Sequence, residues 1–339
     1  MADTSTAGRV DVRPATGSGV EVRCEAGMSA EGARVIDYAP QSLNKALSDS
    51  YYFWMITPAI VVLAAISLYP FFWLIWMSLH SDGANGQGTA FVGMKNFVRL
   101  FTMDTKYWDG WYLLIKYSMW CMALEITLGV LLAIILNGSR LENVLVTVFL
   151  MPMMMAPAIA GLVWYFLYNS TFGWYHWLLQ SLGILGDTSI LGSTDTALYG
   201  LVIVDVWQWT PLITLITLAG MKRVPRDQLE ANMVDGASEL RNFISITLPH
   251  LYPFLLIAIL LRFMDNFRFI DVILALTGGG PADATNVLPV YLFEVSFNYF
   301  KLGRAAAIAL TLLLVTIVLG KTLVRVFEGP ASQRADMGK

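Results

Sequence analysis

Six stretches of this chain are predominantly apolar over 23 to 28 residues: Tyr52–Leu79, Tyr112–Leu136, Val144–Tyr168, Ala197–Met221, Leu251–Thr277 and Ala305–Phe327. A helix of about 20 apolar residues crosses the roughly 30 Å hydrocarbon core of a bilayer. In hydrocarbon every backbone polar group must be paired internally, so only helices and closed barrels can span it. A barrel strand would alternate apolar and polar residues over about ten positions. These runs are continuous and rich in Leu, Ile, Ala and Met, so they predict an all-α integral membrane protein of six transmembrane helices. Composition agrees where it bears on this point. Apolar types make up 56% of the chain and charged types 14%, against roughly 25% charged in a soluble domain. Twelve of the 47 charges lie in the first 50 residues. The remaining body cannot face water all round, which excludes a soluble enzyme, a nucleic-acid binder or a disordered regulator. A net charge of −3 gives no attraction to polyanions.

The rest of the chain sorts around these spans. Residues 1–48 are polar, Gly/Ala/Ser-rich and acidic, unlike the basic start of a secretory signal, and are expected to form a flexible cytoplasmic tail. Residues 49–328 form the membrane domain, with a loop over 222–250, and 329–339 a second cytoplasmic tail. With the N-terminus inside, and with Lys321 and Arg325 at the inner end of span six counted there, 14 Lys/Arg fall on the inner side, five on the outer side and three deeper within spans. This bias predicts that both termini are cytoplasmic. Trp108, Trp111 and Tyr112 enter span two, and Tyr165, Tyr168, Trp174, Tyr175 and Trp177 gather at the end of span three. They suit an interface belt first, with a docking surface as the alternative. Cys24 in the leader and Cys121 in an apolar run are expected to lie in different solvents, which argues against a disulfide or a zinc site.

One inner loop is too polar and too patterned to be a simple connection. Pro225 suits a helix start, and Asp227 and Glu230 complement the dipole of the turns that follow. Gly236 marks a helix end or a close approach, and a second helical piece, Ser238–Ile246, leads to Leu248-Pro249, where the proline is expected to break or reset the chain. The loop reads Glu230-Ala231-Asn232, three residues, Gly236, nine residues, Ile246, one residue, Leu248-Pro249. This spacing resembles the Glu-Ala-Ala coupling loop of ABC import permeases, with Asn232 in place of the second alanine.

A second stretch is similar to the carbohydrate branch of that family, the maltose and glycerol-phosphate importers. It comprises Arg262, Asp265-Asn266-Phe267-Arg268, Asp271 and the outer Thr277-Gly278-Gly279-Gly280-Pro281 turn. Phe91-Val92-Gly93 with Asn96-Phe97, and Gly303–Ala307, fit the same branch. The resemblance covers roughly residues 50–327 and implies a type I ABC importer permease fold in a bacterial cytoplasmic membrane. It implies docking of cytoplasmic coupling helices on a dimer of ATPase subunits, with Glu230, Ala231, Asp235, Gly236, Ile246, Leu248 and Pro249 as the coupling positions. It also implies a second permease chain, a different one in this branch, and an extracytoplasmic solute-binding protein. ATP and Mg would sit on the ATPase subunits, leaving this chain without a cofactor of its own.

The candidate solute pathway rests on polar exceptions inside the spans. A charge at the bilayer centre costs about 2.5–3.5 kcal/mol on insertion scales, so such groups face protein or water. Arg262, Asp265, Arg268 and Asp271 stand three apart with alternating sign. On one continuous helix they would spiral over about half the surface, either as a polar wall for a sugar-like solute or as a structural ion-pair ladder. Asn266 lies among them. In span four Asp205, Trp207 and Trp209 offer a carboxylate and two rings that could stack on a sugar or pack in the core. Glu125 in span two reads as a buried interhelical contact. Gly320-Lys321-Thr322 mimics the end of a phosphate loop, but its first glycine is absent at Val315. His80, His176 and His250 are scattered and form no catalytic or metal set. The alternatives are a permease for an amino acid or organic anion, or a stand-alone carrier. A carrier should show matched discontinuous helices in its two halves, and none is legible.

Overall fold

The computed structural model describes residues 10–14, 20–24, 49–82, 90–183 and 189–336. The chain divides between Phe72 and Trp73 into two units. In the first, β1 (Val10–Pro14) pairs antiparallel with β2 (Val20–Cys24), Val12 opposite Val22. The rest of the leader, and the expectation of a flexible tail there, lie outside the described residues. Helix α1 (Asp49–Ser78) carries the first apolar run, with Pro58 and Pro70 inside it.

The second unit holds α2 (Lys95–Met103), α3 (Thr105–Leu136), α4 (Glu142–Leu150), α5 (Pro157–Leu167), α6 (Trp174–Ser181) and α7 (Ala197–Met221). It continues with α8 (Arg226–Val234), α9 (Glu239–Asn242), α10 (Leu248–Asn266), α11 (Asp271–Leu276), α12 (Leu288–Phe293) and α13 (Leu302–Asp336). Helix α7 is the centre of this unit, and most of its residues are buried. It packs along α3, and also against α10 and α5. The α3–α7 approach depends on Gly129, where an added Cβ would stand 2.7 Å from Ile213 Cβ, so any side chain there would part the helices.

Among the described residues five helices are long and apolar enough to span a membrane, and a bent pair, taken as one span, makes six. The third apolar run is therefore not one helix, as continuity alone suggested. Helix α4 passes into a 3₁₀ turn at Pro152–Met154, and α5 starts at Pro157, with the two segments bent by 95°. Pro157 lacks an N–H and forces Ala156 into an extended conformation, so the helix cannot pass through. The carbonyl freed at Met155 is not left in hydrocarbon. Buried Gln208 of α7 donates its Nε2 to it at 3.0 Å.

The fifth run also differs from expectation, at both ends. Its helix starts earlier: Glu239–Asn266 is one helical stretch, with a π turn at Phe243–Thr247 joining α9 to α10. Pro249, expected to break the chain, sits in the first turn of α10 after that π turn. The run then ends early, at Asn266, and resumes as α11. A continuous helix would point Phe267 and Phe269 about 200° apart. The turn lets both enter the core, Phe267 near Trp111 (6.3 Å) and Phe269 stacked on Tyr117 (6.2 Å). Two discontinuous runs thus exist where none was legible, but they are the third and fifth, which are not matched positions of two halves. Helices α5 and α11 pack on each other. Helix α13 continues to Asp336, into the segment expected to be a tail.

The segments joining these helices are tied down. Asn96 donates to the carbonyls of Ser78 and His80 at 2.8 and 2.9 Å, and Asp82 accepts from the Arg304 N–H at 3.1 Å. Tyr291 of α12 donates to Asp104 at 2.7 Å, and Lys106 pairs with Asp283 at 2.7 Å.

Candidate functional site

Two sites emerge from the expected residues, one inside the helix bundle and one on the 222–250 loop. The inner site is built on Arg262 of α10, which is 1% exposed. Its Nε and Nη2 donate to the two oxygens of Glu125 on α3, at 2.8 and 2.7 Å. Nη2 also donates to Asp205 Oδ2 of α7 at 2.8 Å and to Asn266 Oδ1 at 2.9 Å, and Nη1 to Asp265 Oδ2 at 3.0 Å. The Trp209 ring lies under the guanidinium, 4.8 Å away. A planar fork with five donors suits this arrangement, and the forked pair with Glu125 fixes geometry as well as charge. Glu125, Asp205 and Asn266 are all fully buried. One side chain therefore holds three spanning helices.

The four charges of the fifth run are not one spiral. Arg262 and Asp265 lie on α10, Arg268 in the turn, and Asp271 at the start of α11. Arg262 is ion-paired to Glu125 on α3, Asp205 on α7 and Asp265 on its own helix. Asp265 is one-third exposed and reaches exposed Arg268 at 3.6 Å. The two tryptophans also part company, since positions two apart on a helix face nearly opposite ways. Trp207 packs edge-on against Trp164 (5.6 Å) in an aromatic cluster with Tyr168 and Tyr175. Trp209 belongs to the Arg262 site. Around that site several buried polar atoms have no protein partner: Asp205 Oδ1, Asn266 Nδ2, Trp209 Nε1 and Tyr117 OH. Sequence reading did not single out Tyr117 or Gln208. A hydroxyl and an amide inside an apolar run were the available signals.

The loop site is a helix–turn–helix of α8 and the α9 arm. Gly236 takes φ +81°, with open space where a Cβ would be, so it ends a helix and makes no close approach within this chain. Its N–H bonds the Met233 carbonyl (3.0 Å), and the Ala237 N–H bonds that of Asn232 (3.0 Å), which is the Schellman pattern. Ser238 caps the next arm by accepting from the Arg241 N–H. Asn232, the one departure from the motif, donates its Nδ2 to buried Asn242 Oδ1 and to Ser245 Oγ (3.4 Å), clasping the two arms. Met233, Val234, Leu240 and Ile244 are left exposed. Glu230, Ala231 and Asp235 are also exposed, Ile246 and Pro249 half-buried, and Leu248 39% exposed. Lys222, at the root of the loop, pairs with Glu142 at the start of α4. Gly320-Lys321-Thr322 lies within α13, where Thr322 Oγ donates to the Val318 carbonyl, so it is helix and not a phosphate loop.

Comparison with known proteins places this architecture. Residues 125–328 match the family model described as binding-protein-dependent transport system inner membrane component. The trehalose/maltose transport system permease protein MalF of Thermococcus litoralis is 36% identical over 273 residues, covering 80% of this chain and 90% of that one. The sn-glycerol-3-phosphate transport system permease protein UgpA of Escherichia coli is 31% identical, covering 81% of this chain and 93% of its own length. Among solved structures, a bacterial ABC transporter involved in import of the acidic polysaccharide alginate superposes with a TM-score of 0.73 at 16% identity, over 85% of this chain and 98% of that chain. The likeness to it is one of fold. The chain belongs to the family of binding-protein-dependent transport system inner membrane components, and is a permease subunit of an ABC importer whose ATPase is a separate subunit.

Proposed function

We propose that this permease carries a carbohydrate or polyol-type solute across the cytoplasmic membrane. ATP is hydrolysed on a dimer of cytoplasmic ATPase subunits, and this chain binds no cofactor itself. An extracytoplasmic binding protein delivers the solute, and a second, different permease chain completes the pathway. The printed substrates of the relatives, trehalose or maltose and glycerol 3-phosphate, support the solute class. A solved relative in complex with its pentasaccharide-bound periplasmic protein supports the delivery step. Both termini are cytoplasmic in this reading, which the Lys/Arg bias supports and which puts the 222–250 loop on the ATPase side.

One observation carries the mechanism. The second arm of the coupling loop and the fifth span form one stretch, Glu239–Asn266, with the Arg262 cluster near its far end. A displacement of the exposed knob at Met233, Val234 and Leu240 is therefore passed along a rod to helices α3 and α7, where an unstructured loop would absorb it. Trp209, Asp265 and Asn266 supply the polar and aromatic edge from which a solute wall is built, and Glu230, Ala231, Asp235 and Gly236 present the knob. Gly236→Val tests the reading. A β-branched residue at φ +81° is strained, so the knob should distort and ATP-driven solute uptake should fall at least tenfold with the chain still in the membrane. Unchanged uptake would remove the loop from the coupling path.

A further inference from the structure

Outside these sites, one cation stands alone on an apolar face. Lys116 lies on α3, and its ammonium sits over the Tyr199 ring, 5.3 Å from the centroid. Among the described residues it pairs with no carboxylate. Around it runs a groove of about 410 Å³ lined by Tyr112, Ile115, Lys116, Met119, Trp120 and Ala123. Trp120 also meets Tyr199 edge-on at 6.1 Å. We infer that this groove binds an anionic phospholipid, with the phosphate on Lys116 and an acyl chain laid along α3.

The position of the charge argues for a lipid. Lys116 follows the last acidic residue of the helix start, Asp109, by seven positions, about 10 Å along the axis. Helical side chains tilt toward the N-terminus, so the long stem carries the ammonium back toward the interface, where phosphates lie. On the C-terminal side of Lys116 the same face continues as exposed Trp120, Leu131 and Ile134, all within about 60° of it around the helix, with the Thr127 hydroxyl turned back onto the Ala123 carbonyl. A water-filled solute path would not be lined so, whereas hydrocarbon suits it. An unpaired cation above such a face is complementary to a headgroup carrying net negative charge, and Tyr112 and Trp120 are aromatics of the kind that sit at headgroup level. None of this depends on the solute proposed above.

The test uses the assembled transporter in phosphatidylcholine nanodiscs containing a minor fraction of phosphatidylglycerol with a photoreactive acyl chain. Adducts are mapped by peptide mass spectrometry. The expected result is labelling within 112–135, kept in Lys116→Arg and reduced about fivefold in Lys116→Gln, as fits one lost lysine–headgroup attraction. A melting curve of each variant separates this from misfolding. Equal labelling in Lys116→Gln would overturn the inference. So would labelling that appears only when the second permease chain is left out, since that chain would then be the occupant. Displacement of the label by a soluble phosphate monoester would overturn it too, by placing Lys116 in the solute path.

Discussion

Arg262 is the residue on which the interior depends most. Replacing a buried ion pair by matched apolar groups is often neutral, whereas removing one partner leaves a buried charge and costs about 3–5 kcal/mol. Arg262→Leu alone strands Glu125 and Asp205, and is expected to cost that much, to lower the melting midpoint and to reduce the yield of folded protein in the membrane. Arg262→Leu combined with Glu125→Gln and Asp205→Leu should regain most of the loss, read as melting midpoints in detergent. If the single and triple variants melt alike, the cluster is not a brace. Asp283 gives a pH prediction outside the spans. The Lys106 ammonium, helped by the Asn286 amide, holds its carboxyl below the usual carboxylate value. A depressed carboxylate stabilises the folded loop above its unfolded pKa of about 3.9, and the effect is lost as pH falls through the lower folded value. Hydrogen exchange in 278–286 should therefore rise below about pH 4, and Asp283→Asn should remove that step. Much of this was visible one residue at a time. Glu125 and the fifth-run charges stood out because charges in hydrocarbon are scarce. Their partnership was not visible, because it joins residues 137 apart in sequence, and pairing at that distance is set by helix packing and not by local pattern.

At the scale of elements, the helix–turn–helix of the 222–250 loop is held by three local devices. Two of them, the Gly236 Schellman turn and the Ser238 cap, were legible only in outline, Gly236 as a helix end or a close approach and Ser238 as the first residue of a second helical piece. The third was not, since Asn232 read only as a departure from the motif and its clasp on Asn242 appears only when the arms fold together. Asn232→Ala and Asn242→Ala, with the double variant, should show a coupling energy of about 1 kcal/mol between the two sites in a double-mutant cycle on stability. Additivity would mean that the arms are joined otherwise. Gly236→Ala should cost about 1–2 kcal/mol of local helix stability from the left-handed backbone alone, since space is not limiting there. The breaks in the third and fifth runs were missed for different reasons. Pro152 and Pro157 signalled the first, but apolar continuity was weighed above them. The second has no breaker residue, and follows from the need to bury both Phe267 and Phe269.

For the whole molecule, six apolar runs were enough to predict a membrane protein and the Lys/Arg bias its orientation, while the permease reading came from the resemblance of the spaced 222–250 loop. They were not enough to show that the coupling arm and the fifth span are one stretch. That continuity is central to the proposed coupling, in which an event on the ATPase subunit reaches the Arg262 cluster. It requires the α8–α9 knob to touch the ATPase. In a transporter with Cys24→Ser and Cys121→Ala, a single cysteine at Val234, which is 88% exposed, should cross-link to the ATPase subunit in membranes. The yield should change between the nucleotide-free and ATP-bound states. A cysteine at exposed Phe172 should give no such product. If Val234→Cys fails to cross-link while Phe172→Cys succeeds, the orientation and the coupling assignment are both contradicted.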